Sequence, residues 1–285
     1  MKKLALLFST LLLVSCQSGD SGHLPEEVLA IVCERVLQAA AERQADARPA
    51  MAESDGCPEA DMEHLELPAI RQQEQILRRK AYTASYDAKA RLPRWVAWRL
   101  TAEHTEGSQP RLSNFHPDEE VAAPHAEPAD YKGSGYDRGH MCPAGDNKWG
   151  YEPMRESFLL TNVCPQDQHL NSGDWNELEA QCREWAKKYE EIFIVCGPIM
   201  GKGKQTTIGE NRVRVPDAFF KVVLCIHGHP KGLGFVYKNQ RCNHPMPYYL
   251  TTIDDVEQLT GIDFFPSLPD DVETAVEASS HLEEW

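Results

Sequence analysis

The sequence predicts an α+β protein with one sheet-rich core, because strand patterns dominate the chain and helical patterns are inserted between them. Residues 82–86 and 94–100 are rich in aromatic and β-branched side chains and predict a β pair. Residues 192–196, 219–226 and 234–237 are apolar runs of strand length and predict buried strands. We expect these five segments to meet in a single core.

Two segments of this strand-rich body carry helical periodicity. Between residues 172 and 189, apolar side chains recur every three or four positions, which predicts a helix with one buried face. The recurring side chains are Trp175, Leu178, Cys182 and Trp185. Residues 251–259 predict a shorter helix, since two aspartates fall in its first turn, where the helix dipole favours negative charge. Residues 101–130 contain four prolines and predict a long polar connection.

The N-terminus predicts an exported protein. In residues 1–15, two lysines precede an apolar stretch that is shorter than the ~20 residues needed to span a bilayer, as in a secretory signal. Leu13-Val14-Ser15-Cys16 resembles a bacterial lipobox, which implies cleavage before Cys16 and a lipid on its sulfur. Gln17 after the cysteine is compatible with sorting to the outer membrane of the cell envelope. The alternative is an ordinary signal peptide with a chance cysteine.

The rest of the chain divides by composition and charge. Residues 16–23 predict a flexible tether, and residues 24–66 predict a helix followed by an acidic loop. Residues 67–268 form the main domain, and residues 269–285 form an acidic tail that we expect to be solvated or disordered. The net charge of −15 opposes binding to a polyanion over the whole surface, but the tail and the acidic loop hold much of it.

Asp137-Arg138-Gly139-His140 is the first motif that could carry chemistry. In a strand, side chains two positions apart share a face, so Arg138 would lie beside His140. A neutral imidazole can take a proton from water and a guanidinium can hold phosphate oxygens, which is the pair that phosphodiester hydrolysis needs. Gly139 between them would let another chain or a ligand approach closely.

Asn171 and Glu179 form a second candidate pair. Asn171 lies just before the predicted helix, where its side chain could cap the helix N-terminus or its amide oxygen could hold a hard ion such as Mg²⁺. Glu179 follows eight residues later, a little over two helical turns, and could reach that ion through a water. The alternative for Glu179 is a solvated surface carboxylate.

Both segments together resemble the DNA/RNA non-specific endonuclease family, which belongs to the ββα-metal, or His-Me finger, nucleases. The matching residues are Asp137-Arg138-Gly139-His140, Asn162…Pro165-Gln166, Leu170-Asn171…Gly173…Trp175 and Leu178-Glu179. The resemblance extends over about residues 82–261. It implies a ββα-metal nuclease fold with a mostly antiparallel central sheet and flanking helices, and makes residues 67–268 the endonuclease domain.

The resemblance also implies roles for individual residues. His140 matches the general base that activates the attacking water. Asn171 matches the only direct protein ligand to Mg²⁺, or to Mn²⁺ in its place, and Glu179 matches the glutamate that holds the ion through water. Arg138 matches an arginine near the phosphate, and Arg111 more loosely matches an upstream phosphate-binding arginine. Two further residues are interpreted as orienting neighbours, Asp137 and Asn162.

The implied activity is magnesium-dependent hydrolysis of DNA and RNA to 5′-phosphate and 3′-hydroxyl ends, with weak sequence preference because the contacts go to phosphate. Many relatives are dimers, so a homodimer is also implied. One alternative is a non-catalytic surface lipoprotein that binds nucleic acid. Another is an unrelated metal hydrolase, but the remaining histidines are scattered. Cys142 and Cys164 could form a disulfide or pack separately.

Overall fold

The computed structural model describes residues 64–203 and 205–285. The predicted signal peptide, the lipid-bearing Cys16, the tether and nearly all of the N-terminal helix and acidic loop lie outside these residues. Within the described ranges, no helix is both long enough and apolar enough to cross a membrane.

A seven-stranded antiparallel sheet forms the centre of the fold. The strands in the described part of the chain are β1 (Gln75–Arg78), β2 (Thr83–Asp87), β3 (Leu92–Thr101), β4 (Asp137–His140), β5 (Val163–Gln166), β6 (Glu191–Ile199), β7 (Thr207–Ile208), β8 (Val213–Arg214), β9 (Ala218–Cys225), β10 (Lys231–Lys238) and β11 (Leu250–Thr251). The central sheet has the order β1-β2-β3-β6-β9-β10-β11, and every pairing in it is antiparallel. The predicted α+β class and antiparallel central sheet are confirmed.

Among residues 64–203 and 205–285, six α-helices connect or cover the strands. They are α1 (Ala102–Glu106), α2 (Tyr151–Ser157), α3 (Gln168–Ser172), α4 (Asp174–Tyr189), α5 (Ile253–Thr260) and α6 (Asp270–Glu277). Helix α4 is the long helix predicted from the apolar repeat, and α5 is the shorter one. Helix α5 begins after Thr252, whose hydroxyl accepts a hydrogen bond from the backbone N–H of Asp255 at 3.1 Å.

The central sheet is buried on both faces. In β3, Trp95 and Ala97 point into one hydrophobic cluster, whereas Val96 and Trp98 point into the other, as the two-residue strand period requires. Helix α4 packs on the sheet face that carries the side chain of Trp98, and helices α5 and α6 pack on the opposite face of the sheet. Strands covered on both faces read as continuous apolar runs, which explains the sequences of β6 and β9.

The C-terminal segment corrects one prediction. Residues 269–285 were expected to be solvated or disordered because they are acidic, and this expectation is wrong. Their apolar residues have helical spacing, so α6 buries Val276 against the sheet at 2% exposure. Beyond the helix, the ring of Trp285 lies 4.9 Å from the ring of Trp185. Net charge concealed the apolar face of this segment.

Cysteine pairing was left open by the sequence. The six cysteines in the described part of the chain are all free. Cys142 and Cys164 are both buried in the core on the α4 side of the sheet, so they pack as separate thiols and form no disulfide.

Candidate functional site

An antiparallel pair of short strands and the helices that follow it build the site. Strand β4, which is the Asp137–His140 motif, pairs antiparallel with β5, and His140 lies opposite Val163. The chain then continues into α3, which carries Asn171, and α4, which carries Glu179. All five predicted site residues line one cleft of about 940 Å³: Arg111, Arg138, His140, Asn171 and Glu179.

His140 is held in an aromatic pocket at the floor of the cleft. Its ring centroid lies 5.0 Å from those of both Phe115 and Phe158, and the residue is 7% exposed. The Nε2 atom is buried and has no hydrogen-bond partner. Burial, followed by the charges of Arg111 and Arg138, lowers the pKa of His140 to about 3. The imidazole is therefore neutral at neutral pH and has a nitrogen available to accept a proton.

Each of the two arginines, Arg111 and Arg138, packs on one of the two phenylalanine rings that contact His140. The guanidinium carbon of Arg138 lies 4.6 Å from the ring centroid of Phe115, and that of Arg111 lies 5.4 Å from the ring centroid of Phe158. Among the residues that the structure describes, neither arginine forms an ion pair with a carboxylate. Both guanidinium groups are therefore free to contact an anion in the cleft.

Asn171 does not cap the long helix, contrary to one of its two interpretations. It lies inside α3, and the residue at the N-cap of α4 is Gly173. Its amide nitrogen donates a hydrogen bond of 3.0 Å to Oδ2 of Asp137. Because an ionised carboxylate can only accept, this bond fixes the orientation of the amide and leaves its oxygen as the available acceptor. Asp137 on strand β4 thus orients Asn171 on helix α3.

Glu179 reaches the cleft from the second turn of α4 and is partly exposed there. Burial raises its pKa to about 7, although the charge of Lys221 lowers it. The amide oxygen of Asn171 and the carboxylate of Glu179 are hard oxygen donors, which is the donor type that Mg²⁺ prefers. The residues present therefore fit a magnesium ion held by few protein ligands.

Gly139 fulfils the first of its two expected roles, which was the close approach of another chain segment. A Cβ atom on this residue would lie 2.0 Å from Oε1 of Gln166, whose buried side chain fills the space above the glycine. The close approach that glycine permits is made by the paired strand β5 rather than by a ligand.

Asn162 fixes the segment that follows His140. Its Oδ1 accepts from the backbone N–H of Cys142 at 2.9 Å, and its Nδ2 donates to the carbonyl oxygens of Cys142 and Ser157, both at 2.8 Å. The residue is fully buried. These bonds tie the end of β4 to the segment before β5, so Asn162 holds the backbone and does not line the cleft.

Sequence reasoning did not single out several residues that shape the site. Phe115 and Phe158 were not recognised, because two aromatic residues far apart in sequence give no local pattern. Lys221 is fully buried beneath α4, with Nζ 4.5 Å from the ring centroid of Trp175 and without a hydrogen-bond partner. A lysine inside the apolar run of β9 was the available signal.

A buried ion pair supports the same region. Asp146 accepts hydrogen bonds from Nη1 of Arg183 at 3.0 Å and from Nε1 of Trp98 at 3.2 Å. Burial raises the pKa of Asp146, and the charge of Arg183 opposes that rise. Arg183 lies one helical turn after Glu179, so this pair anchors the part of α4 that carries Glu179.

The pKa of His140 predicts how stability depends on pH. A pKa that is lower in the folded than in the unfolded chain gives stability that is present above the unfolded value, near 6.5, and is lost as the pH falls. Between pH 7 and pH 5 we expect wild type to lose about 2 kcal/mol more stability than His140→Ala. Denaturant unfolding at both pH values measures this difference. The exposed His169 supplies the control: His169→Ala should behave like wild type, and equal losses in all three proteins would contradict a buried neutral His140.

Comparisons with known proteins identify the family. A sequence model of the DNA/RNA non-specific endonuclease family matches residues 66–271. The mitochondrial nuclease EXOG of Xenopus laevis is 37% identical over 207 residues, which are 67% of this chain and 58% of that protein. The chain therefore spans less than two thirds of that relative. The mitochondrial endonuclease G of Bos taurus is 35% identical over 209 residues, covering 68% of this chain and 70% of that protein.

The fold agrees with this relationship. A chain in a crystal structure of the EndoG/EndoGI complex is 29% identical, with a TM-score of 0.68 over 76% of this chain and 92% of that chain. In this chain, the β4–β5 strand pair with its following helices has the ββα arrangement expected from the motifs. The chain belongs to the DNA/RNA non-specific endonuclease family.

Proposed function

We propose that this protein is a metal-dependent endonuclease that hydrolyses both DNA and RNA. The observation that carries the proposal is the cleft in which a buried, neutral His140 lies beside two unpaired arginines and the oriented amide of Asn171. The family relationship supports the same activity.

His140 is the general base of the proposed reaction. Its neutral imidazole accepts a proton from the attacking water as the water bonds to phosphorus. Burial, and after it the charges of Arg111 and Arg138, hold the pKa of His140 low. Phosphate bound between the two arginines offsets their charges, so the imidazole becomes a stronger base when substrate is present. The same arginines hold the phosphoryl oxygens as negative charge develops on them.

Asn171 and Glu179 would hold Mg²⁺ in the cleft, Asn171 through its amide oxygen and Glu179 through water. When bound there, the ion supplies Lewis-acid stabilisation of the charge on the phosphoryl and leaving 3′ oxygens. The bond from phosphorus to the 3′ oxygen then breaks, and the 3′ oxygen takes a proton from solvent water, which gives 5′-phosphate and 3′-hydroxyl ends. Because water attacks, and not the 2′-hydroxyl, both sugars are acceptable, and contacts to phosphate carry little sequence preference.

The decisive experiment incubates the purified protein with supercoiled plasmid and with RNA, in Mg²⁺ and in EDTA. We expect both substrates to be cut in Mg²⁺ and neither in EDTA. The 5′ ends should accept label from a polynucleotide kinase only after phosphatase treatment. Binding of nucleic acid without cutting, across several divalent ions and pH values, would instead support the non-catalytic binding lipoprotein.

We also propose that the enzyme is exported and attached to the cell envelope by a lipid on Cys16. The support is sequence alone: two lysines, an apolar stretch and the lipobox-like Leu13-Val14-Ser15-Cys16. Cys16→Ser is expected to move the nuclease from the membrane fraction to the soluble fraction, as measured by cell fractionation and immunoblotting. Wild-type protein found only in the soluble fraction would contradict the anchor.

A further inference from the structure

Three carboxylates meet where helices α5 and α6 pack together. One side-chain oxygen from each of Asp254, Glu257 and Glu277 lies within 4.8 Å of the others. Asp254 and Glu257 share one face of α5 because they are three residues apart, and Glu277 approaches them from the end of α6. We call this group the α5–α6 acidic cluster.

Glu277 supplies an independent sign that something is bound there. The residue is only 7% exposed, and its Oε1 is shielded from solvent and has no hydrogen-bond partner. In the described part of the chain, no Lys, Arg or His forms an ion pair with any of the three carboxylates. A buried carboxylate without a partner is costly, and two further acids, Asp263 and Glu273, add negative charge around it.

The spacing of the oxygens fits a single ion. Calcium takes oxygen ligands at about 2.4 Å, so two ligands of one ion lie no more than about 4.8 Å apart. The cluster offers oxygen donors only, and the two partly exposed members leave room for water to complete the coordination. Phe264 donates its backbone N–H to Oε1 of Glu257 at 2.7 Å, which fixes that carboxylate in place.

We propose that the α5–α6 acidic cluster binds a hard divalent cation of the calcium class and thereby fastens α6 to α5. The site is separate from the nuclease cleft, because the cluster lies on helices that cover one face of the sheet whereas α4 covers the other. Its role is structural: it offsets the charge of Glu277, the residue next to Val276, which anchors α6 in the core. This inference does not depend on the proposed nuclease activity.

The competing possibility is that Glu277 is protonated and holds no ion. Burial and the neighbouring carboxylates raise its pKa to about 8, so a proton could replace the cation as the group that neutralises it. The two possibilities differ in how the stability of the protein responds to Ca²⁺. If Glu277 stays protonated and binds no ion, added Ca²⁺ does not stabilise the folded protein through this cluster.

The test compares full-length wild type, Glu277→Gln and the matched control Asp271→Asn, all freed of metal with EDTA and dialysed. Asp271 is an exposed acid on the same helix and lies outside the cluster. With Ca²⁺ at about 100 times its Kd, we expect the Tm of wild type and of Asp271→Asn to rise by roughly 5–10 °C. Glu277→Gln should lose this rise, and calorimetric titration should show one fewer Ca²⁺ bound.

A second variant guards against a folding defect in Glu277→Gln. Asp254→Asn changes a partly exposed ligand, so it should fold normally and still weaken Ca²⁺ binding about tenfold or more. Equal Ca²⁺ stoichiometry and equal Tm shifts in wild type, Glu277→Gln and Asp254→Asn would overturn the proposal. So would wild type that binds Ca²⁺ only at a site removed by Asn171→Ala, since that residue belongs to the cleft.

Discussion

Replacing His140 by alanine is expected to lower the rate of DNA and RNA cleavage about 10²- to 10⁴-fold, which is the usual contribution of a positioned general base. The loss should be in kcat, because the imidazole acts on the attacking water, while the flanking arginines remain to bind phosphate. Folding should survive at neutral pH, since the substitution removes a buried nitrogen that has no hydrogen-bond partner. Plasmid nicking and fluorescent RNA cleavage under saturating Mg²⁺ measure the rates.

His169→Ala is the matched control for this experiment. His169 is an exposed histidine on α3 that does not line the cleft, so its loss should leave the rate within about twofold of wild type. If His140→Ala retained more than a tenth of the wild-type rate, another group would have to accept the proton. The partly exposed carboxylate of Glu179 would then be the first candidate, because it lines the same cleft.

Much of the fold was predictable because its core elements have clear periods. Helix α4 was visible in the spacing of Trp175, Leu178, Cys182 and Trp185, all of which are buried. Strands β6 and β9 were visible as apolar runs, since helices cover both faces of the sheet. The motif around His140 predicted that the site residues would converge, and the structure places all five in one cleft.

What escaped prediction depends on contacts between distant segments. Helix α6 was taken for an acidic tail because composition averages over its faces and conceals Val276. Phe115 and Phe158 surround His140 only after three separate segments have folded together. Lys221 lies under the cleft between aromatic rings, an arrangement set by packing of α4 on the sheet, which no local pattern encodes.

Asn171 was predicted to be either a helix cap or a metal ligand, and its surroundings separate these roles. A cap would bond to backbone N–H groups of the following helix, but the amide of Asn171, on helix α3, is instead held by Asp137 on strand β4. Orientation of the ligand side chain by a hydrogen bond to a neighbouring carboxylate is the usual arrangement around a metal ligand. Tertiary structure, and not the sequence position before α4, therefore favours the ligand role.

Asn171→Ala is expected to raise the Mg²⁺ concentration needed for half-maximal cleavage by about 10²-fold or more, because the amide oxygen is the only direct protein ligand proposed for the ion. Asp137→Asn, which weakens the orientation of that amide, should raise it about 10- to 100-fold. His140→Ala should leave the Mg²⁺ requirement unchanged while lowering the maximal rate. Cleavage rates measured over a series of Mg²⁺ concentrations distinguish the two kinds of defect.

Asn176→Ala is the control that makes this result specific. Asn176 is an exposed amide on α4 that lines the same cleft, so losing it removes equivalent chemistry from a different position. If Asn176→Ala raised the Mg²⁺ requirement as much as Asn171→Ala, any amide in the cleft would serve and the assigned ligand would be wrong. We expect the Mg²⁺ requirement to be normal in Asn176→Ala, to rise strongly in Asn171→Ala and to rise moderately in Asp137→Asn. This pattern would show that Asp137 orients Asn171 toward the ion.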